Sequence, residues 1–291
     1  SACVIPPHSL NNFIIEEIEK ITKKIAKSLK VKGLLNLQLA IQNDKIFVIE
    51  ANPRASRTVP FVAKATGVPI AKIAALVMIE KKLSSFKLKK IHQKHVAIKE
   101  SVFPFSKFHG SDVILGPEMK STGEAMGIDT TFGKAFAKSQ LSAGVKIPLK
   151  GNVLISIKDS DKKILKECID DLNYMGFIIY ATKGTANFLK TSGINCKTVK
   201  KVKEGKPNIV DYMNKGKINI IFNTTEGSQA IKDSFTLRRS AINNKIPYYT
   251  TISGAKAIVE AIKTLKEKDL NVSSLQKYFK KEKLGNFIGL V

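Results

Sequence analysis

The chain has 291 residues, of which 43% are hydrophobic and 25% are charged, and its formal net charge is +25. This length favours two domains, and the mixed composition argues against a disordered chain. No apolar run approaches the roughly 18 residues that cross a bilayer, and the opening stretch SACVIPPHSL has no basic leader. We therefore expect neither a membrane span nor a signal peptide. The three widely spaced cysteines are typical of a reducing compartment, so we expect a cytoplasmic location.

The positive charge is spread evenly along the chain, and all but four of the 49 cationic residues are lysine. A duplex-binding face usually concentrates charge and uses arginine for bidentate contacts. No signature of an RNA-binding module surrounds the aromatic residues. We therefore expect no nucleic-acid binding and interpret the lysines as a solvated surface. The four exceptions are Arg54, Arg57, Arg238 and Arg239.

The first half of the chain is predicted to consist of helices around one hairpin. Isoleucines at helical spacing predict a helix over 12–29. Two strand-like runs, 35–41 and 46–49, flank the turn-forming pair Asn43-Asp44. The remaining predictions are helices at 60–66 and 71–80, an irregular segment at 84–110, a glycine-rich loop at 114–127 and a helix at 131–141. The four histidines have no metal-binding spacing, and we interpret His92 and His95 as solvent or junction residues.

From Gly151 onward strands and helices alternate. This alternation is typical of a doubly wound parallel sheet, so the fold class is α/β. It also divides the chain into a first domain at 1–83, a connecting segment at 84–150 and a second domain at 151–291. The predicted strands are 153–157, 176–180, 197–202, 218–222 and 247–250, and the predicted helices are 161–175, 185–191, 233–244 and 253–266.

The hairpin carries a candidate cation site. Glu50 and Asn52 share one face of their strand, and whether Gln38 joins them depends on the register. A two-residue loop would pair Gln38 with Ile49, whereas a three-residue loop would pair it with Glu50. Burial favours the second register, because it separates the polar residues from the apolar ones. The face opposite Gln38, Glu50 and Asn52 then consists of Leu37, Leu39, Ile41, Phe47 and Ile49.

Carboxylate and amide oxygens suit a hard divalent cation such as Mg²⁺. Arg54 and Arg57 follow where phosphoryl oxygens would gather. The alternative interpretation is an ordinary hairpin whose arginines bridge to acidic neighbours.

Residues 33–78, from GLLNLQLAIQ to AKIAALVM, resemble the end of an ATP-grasp domain in the carbamoyl phosphate synthetase large subunit. The resemblance implies that Gln38, Glu50 and Asn52 bind the Mg²⁺ or Mn²⁺ ions that accompany ATP, with Gln38 and Glu50 also in the ATP site. It implies that Arg54 and Arg57 are catalytic. Residues 103–144 resemble the family's junction between its second synthetase and an allosteric domain, and the resemblance extends over essentially the whole chain.

That family phosphorylates carbamate with ATP to give carbamoyl phosphate for arginine and pyrimidine biosynthesis. The resemblance implies two partners, which are the remainder of the large subunit and a separate glutaminase small subunit. The first ATP-grasp subdomain is missing before Ser1, so we expect these 291 residues alone to be inactive.

The second domain carries a candidate anion site. The stretches GFIIYATKGTANFL and IIFNTTEG each place hydroxyl or amide side chains at a strand end, and in a parallel sheet such ends meet. A capped helix or a polar turn is the alternative for either stretch alone. Together they resemble the methylglyoxal-synthase-like domain that closes carbamoyl phosphate synthetase. The resemblance implies that UMP or IMP contacts Lys162, Thr182, Thr185, Lys201, Asn223 and Thr225.

The same resemblance implies that ornithine, an effector of bacterial members, contacts Glu100, Tyr248 and Thr250. Near that glutamate this chain has Phe103 where those members have leucine. Arg238 and Arg239 are expected to pair with Asp233 or Glu226. Two other functions stay open: a lyase like methylglyoxal synthase, whose Gly-Gly-Asp segment this chain lacks, and a stand-alone nucleotide-binding regulator.

Overall fold

The computed structural model describes residues 2–88, 93–104, 121 and 123–279. Within the described residues the contacts form two units. One unit comprises residues 3–97 and the residues from 272 onward, and the other comprises residues 98–271 with Ala2. The chain therefore passes from one unit to the other at residues 97–98 and again at 271–272. The division into three domains at residues 83 and 150 stays a prediction.

The first unit is built from helices and one hairpin. A short strand, β1 (Cys3–Ile5), precedes the amphipathic helix α1 (Asn12–Ser28), which the side chain of Asn11 caps. Two short helices follow the hairpin, and a 3₁₀ turn closes the segment at Leu83–Phe86. The elements of this unit are the strands β2 (Asn36–Gln42) and β3 (Lys45–Asn52), the helices α2 (Thr58–Thr66) and α3 (Ile70–Met78), and a last helix at Leu275–Phe279.

The hairpin pairs Gln38 with Glu50, as predicted, but by another route than the predicted loop. The turn has two residues, Asn43 and Asp44, and both have positive φ, at 49° and 60°, as a type I′ turn requires. A β-bulge between Gln38 and Leu39 then shifts the pairing by one residue. The extra residue that the three-residue loop was expected to supply therefore lies within the strand.

The bulge changes which apolar side chains share a face. Phe47 lies opposite Ala40 and therefore on the face of Gln38. The prediction that Phe47 lies on the other side with the leucines of β2 is wrong, because the extra residue, Ile49, reverses the alternation of β3 between bulge and turn. Phe47 and Ile49 are 49% and 63% exposed.

Two strands lie where irregular structure was predicted. These are β4 (Val96–Val102) and its neighbour β5 (Gly123–Asp129). The segment at 84–110 was predicted to be irregular, but the Lys99 side chain of β4 is buried and pairs with Glu124 at 2.9 Å. Residues 105–120 of the predicted loop and junction, with His92 and His109, lie outside the described residues.

The second unit contains the predicted doubly wound sheet. Its five strands are parallel and lie in the order β10-β9-β6-β7-β8. The chain moves outward on one side of β6 and then returns to form β9 and β10 on the other side. The strand order therefore reverses between β6 and β9. The strands are β6 (Asn152–Ser156), β7 (Ile178–Thr182), β8 (Lys197–Val199), β9 (Ile220–Asn223) and β10 (Tyr248–Tyr249).

The helices of this unit carry apolar stripes that bury against the sheet and each other. In α5 (Asp159–Tyr174) the buried residues Leu165, Ile169 and Leu172 recur at helical spacing, and α5 packs on α10 (Ile252–Glu267). Leu154 pairs with Tyr180 on one side and with Ile221 on the other. These three residues form a buried cluster on one face of the sheet, together with residues of α7 (Ile209–Asn214) and α9 (Phe235–Asn243). The other helices are α4 (Phe132–Ser142), α6 (Lys183–Thr191) and α8 (Ser228–Asp233).

Among the described residues, no single helix combines the length and apolar character of a membrane span. Helices α2 and α3 reach that length and composition only when taken together, and they are bent by 114°.

Candidate functional site

The polar face of the hairpin brings three predicted residues together. Gln38 and Glu50 face each other across the ribbon, and directly opposed Cβ atoms lie roughly 5 Å apart in such pairs. The Asn52 side-chain amide donates a hydrogen bond of 2.8 Å to Glu50 Oε1. This contact uses the N–H of Asn52 and leaves its carbonyl oxygen available to a cation.

The two arginines follow directly after β3. The Arg54 backbone amide donates to the carbonyl of Asn52 at 2.8 Å, which turns the chain away from the strand. Arg57 occupies the N-cap position of α2, and Pro60 lies in the first turn of this helix, where a missing N–H is tolerated. Both arginine side chains are exposed, and the helix N-terminus adds positive potential beside Arg57.

The donor set of the hairpin fits a hard cation. It consists of one carboxylate and two amide oxygens on one face, and Mg²⁺ prefers such oxygens with phosphate or water completing its shell. Across residues 2–88, 93–104, 121 and 123–279, no three His, Cys, Asp or Glu side chains are grouped to hold a metal ion. A cation at the hairpin would therefore depend on a ligand, such as a nucleotide, for further negative charge.

A cavity of about 540 Å³ opens at the carboxyl ends of β6, β7 and β9. This is where the strand order reverses, the usual ligand position in an open parallel sheet. The cavity is lined by all six residues for which a nucleotide contact was predicted: Lys162, Thr182, Thr185, Lys201, Asn223 and Thr225.

The hydroxyl groups at the floor of the cavity are buried and mutually hydrogen-bonded. Thr185 accepts a hydrogen bond from the Ile157 amide at 3.3 Å, and its hydroxyl lies 3.4 Å from the Ile157 carbonyl. Thr182 lies 3.3 Å from the hydroxyl of Ser156 and 3.5 Å from that of Thr185. Thr182 and Thr185 are only 3% and 2% exposed. The floor is therefore fixed by the backbone of neighbouring strands.

The rim of the cavity carries charged side chains of both signs. Lys162 donates to the Gly184 carbonyl at 2.8 Å and pairs with Asp159 at 2.6 Å, and this pairing lowers the pKa of Asp159. Lys158 lies 3.6 Å from Glu226. The carboxylates of Asp159 and Glu226 are largely exposed, whereas the Lys162 side chain is only 13% exposed. An anionic ligand would therefore compete with mobile rim carboxylates for lysines that are already in place.

The amide groups of two helix N-termini also face this end of the sheet. Helices α5 and α6 begin directly after β6 and β7, and neither N-cap side chain, Lys158 or Thr182, caps the first turn. The first-turn N–H groups of an uncapped helix are available to an anion. Amides, hydroxyls and lysine ammonium groups together match the oxygens of a phosphate group.

The structure adds cavity residues that the sequence analysis missed. Ser156 lines the floor and Lys158 lies at the rim, whereas Thr224, which also lines the floor, belongs to the predicted stretch IIFNTTEG. The Thr224 hydroxyl accepts from the Lys158 amide at 3.1 Å. The signal for Ser156 and Lys158 was their position, because Ser156 lies near the end of the predicted strand at 153–157 and Lys158 directly follows it. Arg238 is buried and donates to the Ile231 carbonyl at 2.9 Å.

The predicted acidic partners of Arg238 and Arg239 also have lysine partners. Asp233 pairs with Lys203, and Glu226 pairs with Lys158.

Glu100 is linked to β10 through a residue that was not predicted. Gln140, on α4, donates to Glu100 Oε2 at 2.8 Å and accepts from the Tyr249 hydroxyl at 3.2 Å. Burial raises the pKa of Glu100, which the hydrogen bond from Gln140 opposes. Burial also raises the pKa of Tyr249, with a further contribution from the nearby Glu100 charge.

Of the other residues predicted to contact ornithine, Tyr248 accepts a hydrogen bond from the Asn223 side chain at 2.5 Å, and Thr250 is exposed. Asn223 lines the cavity, so Tyr248 lies directly behind the cavity floor.

Two family models match the chain. Residues 1–86 match "Carbamoyl-phosphate synthase L chain, ATP binding domain", and residues 165–250 match "MGS-like domain". The hairpin lies within the first match and most of the cavity within the second. These are the two families that the sequence resembles, in the same order along the chain.

Curated relatives match nearly the whole chain. The carbamoyl phosphate synthase large chain of Myxococcus xanthus (strain DK1622) is 50% identical over 279 residues, which is 96% of this chain and 26% of the relative. That of Methanobrevibacter smithii (strain ATCC 35061 / DSM 861 / OCM 144 / PS) is 48% identical over 281 residues, with the same coverage. The chain thus spans about a quarter of these relatives.

A shorter relative, named "Carbamoyl phosphate synthase large chain, C-terminal section", comes from Aquifex aeolicus (strain VF5). It is 46% identical over 301 residues, covering 96% of this chain and 56% of the relative. A crystal structure of methylglyoxal synthase from Elizabethkingia anophelis NUHP1 matches 39% of this chain and 79% of that chain, with 15% identity and a TM-score of 0.33. A superposition this weak supports no functional inference.

Proposed function

We propose that this chain belongs to the carbamoyl phosphate synthase large-chain family and forms the end of one synthetase domain and the regulatory domain that follows it. The synthetase phosphorylates carbamate with ATP, giving carbamoyl phosphate and ADP. The regulatory domain binds nucleotides and changes the rate of that reaction. The pathway is arginine and pyrimidine biosynthesis, in the cytoplasm.

The polar face of the hairpin is the observation that carries the synthetase proposal. Glu50, Gln38 and Asn52 converge there, and Arg54 and Arg57 follow at the strand end. Held by these three oxygen ligands, Mg²⁺ or Mn²⁺ would neutralise charge on the ATP phosphates. The arginines donate rigid N–H groups to the transferring phosphoryl oxygens. Positioning and charge neutralisation of this kind supply most of the catalysis in phosphoryl transfer.

The reaction needs more protein than this chain. The hairpin leaves Phe47, Val48 and Ile49 between 47% and 63% exposed, and apolar surface of this kind is normally covered by a partner. We assign the remainder of the large chain as that partner, and a glutaminase small subunit as the source of ammonia. The 291 residues alone are then inactive in ATP-dependent carbamoyl phosphate synthesis.

The cavity of the second unit is the proposed effector site. Its buried hydroxyls, helix N-termini and lysines suit the phosphate of UMP or IMP. Ornithine is the proposed ligand near Glu100, where a half-buried carboxylate would attract an ammonium group. The hydrogen bond between Asn223 and Tyr248 connects the cavity with this second site.

The synthetase proposal is tested with Glu50→Gln in the complete large chain assembled with its glutaminase. This change keeps the shape of the side chain but removes the charge that a divalent cation needs. We expect the rate of carbamoyl phosphate synthesis to fall by about a hundredfold or more. The matched control is Glu80→Gln, since Glu80 is exposed and pairs only peripherally with Lys32. Equal activity of both variants would disprove the assigned role of the hairpin.

A further inference from the structure

The last described helix packs on the carboxyl end of α2. This helix, α11 (Leu275–Phe279), belongs to the same contact unit as α2. The Phe279 ring lies directly against Gly67, where even a Cβ atom would come within 3.0 Å of the ring. Gly67 also has a φ of 72°, a left-handed conformation that favours glycine. Glycine therefore both ends α2 and makes room for Phe279.

His95 joins α11 to the end of α2. The last carbonyls of a helix lack partners within the helix, and the Ala65 carbonyl oxygen is contacted by Gln93 Nε2 at 2.5 Å and His95 Nε2 at 2.8 Å. The other edges of the imidazole meet the rings of Tyr278 and Phe279, with centroids 5.5 and 5.4 Å away. His95 is only 6% exposed, so its interpretation as a solvent residue is wrong, whereas the junction interpretation stays a prediction.

The chain just before α11 is anchored as well. The Asn271 carbonyl accepts a hydrogen bond of 2.7 Å from Lys138, whose ammonium group is itself held by Asp129 at 2.7 Å. Only residues 272–274 separate this anchor from α11, and Val272 is 99% exposed.

The helix that α11 contacts carries a proposed catalytic residue at its other end. Arg57 is the N-cap of α2, and nine helical residues span only about 13 Å. We propose that residues 272–279 form a strap that holds the carboxyl end of α2 and thereby positions Arg57 for phosphoryl transfer. The role assigned to Arg57 rests on the proposed function, whereas the grip of the strap on α2 does not. Tyr278, Phe279 and His95 are then positioning residues, since none of them needs to touch substrate.

The grip is tested by hydrogen exchange on the 291-residue chain with Phe279→Ala. We expect amides in the last turn of α2 to exchange at least tenfold faster, while amides of the β2–β3 hairpin keep their rates. The control is Tyr174→Ala, because Tyr174 is 94% exposed and lies in the other unit. Phe279→Ala could instead unfold the first unit. In that case the milder Leu275→Ala tests the same contact, because Leu275 and Phe279 both line the groove beside Gly67 at the end of α2. Unchanged exchange at α2 in the folded variant overturns the proposal.

The effect on Arg57 is tested by kinetics of the complete large chain with its glutaminase. We expect Phe279→Ala to lower kcat about tenfold with KM for ATP within about twofold, because a displaced arginine affects the transition state more than binding. Phe279→Tyr, which keeps the ring, restores kcat. If Arg57→Ala abolishes synthesis but Phe279→Ala leaves kcat unchanged, the strap does not position Arg57. If Arg57→Ala itself leaves kcat unchanged, the proposed function is at fault, and hydrogen exchange alone decides on the grip.

Discussion

Lys138 shows how much a single side chain can hold together at the edge of the second unit. Its ammonium group contacts the Asp129 carboxylate at 2.7 Å, the Ile128 carbonyl at 3.3 Å and the Asn271 carbonyl at 2.7 Å. The Asp129 and Lys138 side chains are only 10% and 18% exposed. Despite burial, which acts to raise it, the pKa of Asp129 is lowered, because Lys138 and the Thr130 amide stabilise the carboxylate.

We predict that Lys138→Met lowers the free energy of unfolding by about 3 kcal/mol at pH 7, because Asp129 loses its partner while buried. Since the folded pKa of Asp129 lies below its unfolded value, its stabilisation is present above about pH 4 and is lost as the pH falls. The difference between variant and wild type should therefore shrink from pH 7 to pH 3 in urea unfolding. Lys146→Met, at an exposed lysine, is the control. A difference that grows on acidification would contradict the ion pair.

At the residue scale, sequence predicts which side chains converge more reliably than how they do so. The pairing of Gln38 with Glu50 followed from the chemistry of the two faces. The bulge at Ile49 did not, because a two-residue turn followed by a bulge pairs Gln38 with Glu50 just as a three-residue loop would. The link from Glu100 to Tyr249 through Gln140 was also missed, since nothing in a helix sequence marks one glutamine as buried.

Among the elements, α4 is packed unusually closely from two sides, and glycine makes both contacts possible. A Cβ on Gly127 of β5 would lie 2.0 Å from the Ala135 carbonyl oxygen and 2.4 Å from the Ser139 nitrogen. A Cβ on Gly133 would lie 2.3 Å from the Thr264 hydroxyl of α10. Gly127, one of the glycines that suggested a loop at 114–127, therefore serves close packing.

We predict that Gly127→Ala destabilises the second unit by about 3 kcal/mol or more, because both atoms it meets belong to the backbone of α4. Gly133→Ala should cost less, about 1–2 kcal/mol, because its closest contact is a side-chain hydroxyl and the backbone atom it meets, the Glu260 carbonyl oxygen, is farther away at 3.1 Å. Gly123→Ala, in the same strand, would meet nothing within 4 Å and should change stability by less than about 0.5 kcal/mol. Guanidinium unfolding measures all three. Equal costs at positions 123 and 127 would rule out the close contact.

The alternation of strands and helices after residue 151 predicted the sheet correctly, because each buried strand is a short apolar run with a polar end. The same reasoning missed α7, a six-residue helix whose main signal is the Asn208 cap. It also missed α8, since the predicted helix at 233–244 corresponds to α9 alone. Strands β4 and β5 were missed because their charges and glycines find partners only in the folded protein.

On the scale of the whole molecule, the two units differ in how complete their cores are. Most of the fully buried apolar side chains, such as Leu154, Leu165 and Phe222, belong to the unit at 98–271. In the unit at 3–97, Phe13, Ile49 and Ile79 are each more than 60% exposed. The second unit therefore has the core of an independent domain, whereas the first leaves several large apolar side chains exposed.

We predict that UMP or IMP stabilises the unit at 98–271 and leaves the unit at 3–97 unchanged, because the proposed site lies wholly within the former. At a nucleotide concentration of a hundred times Kd, mass action adds about 2.7 kcal/mol to its unfolding free energy. Hydrogen exchange resolved by segment would measure both units in the same sample. Lys162→Gln should reduce the gain, whereas Lys163→Gln, with the same charge change at an exposed neighbour, should keep it. Uridine and inosine, which lack the phosphate, should give little gain. If uridine slowed hydrogen exchange as much as UMP does, the cavity would not recognise phosphate.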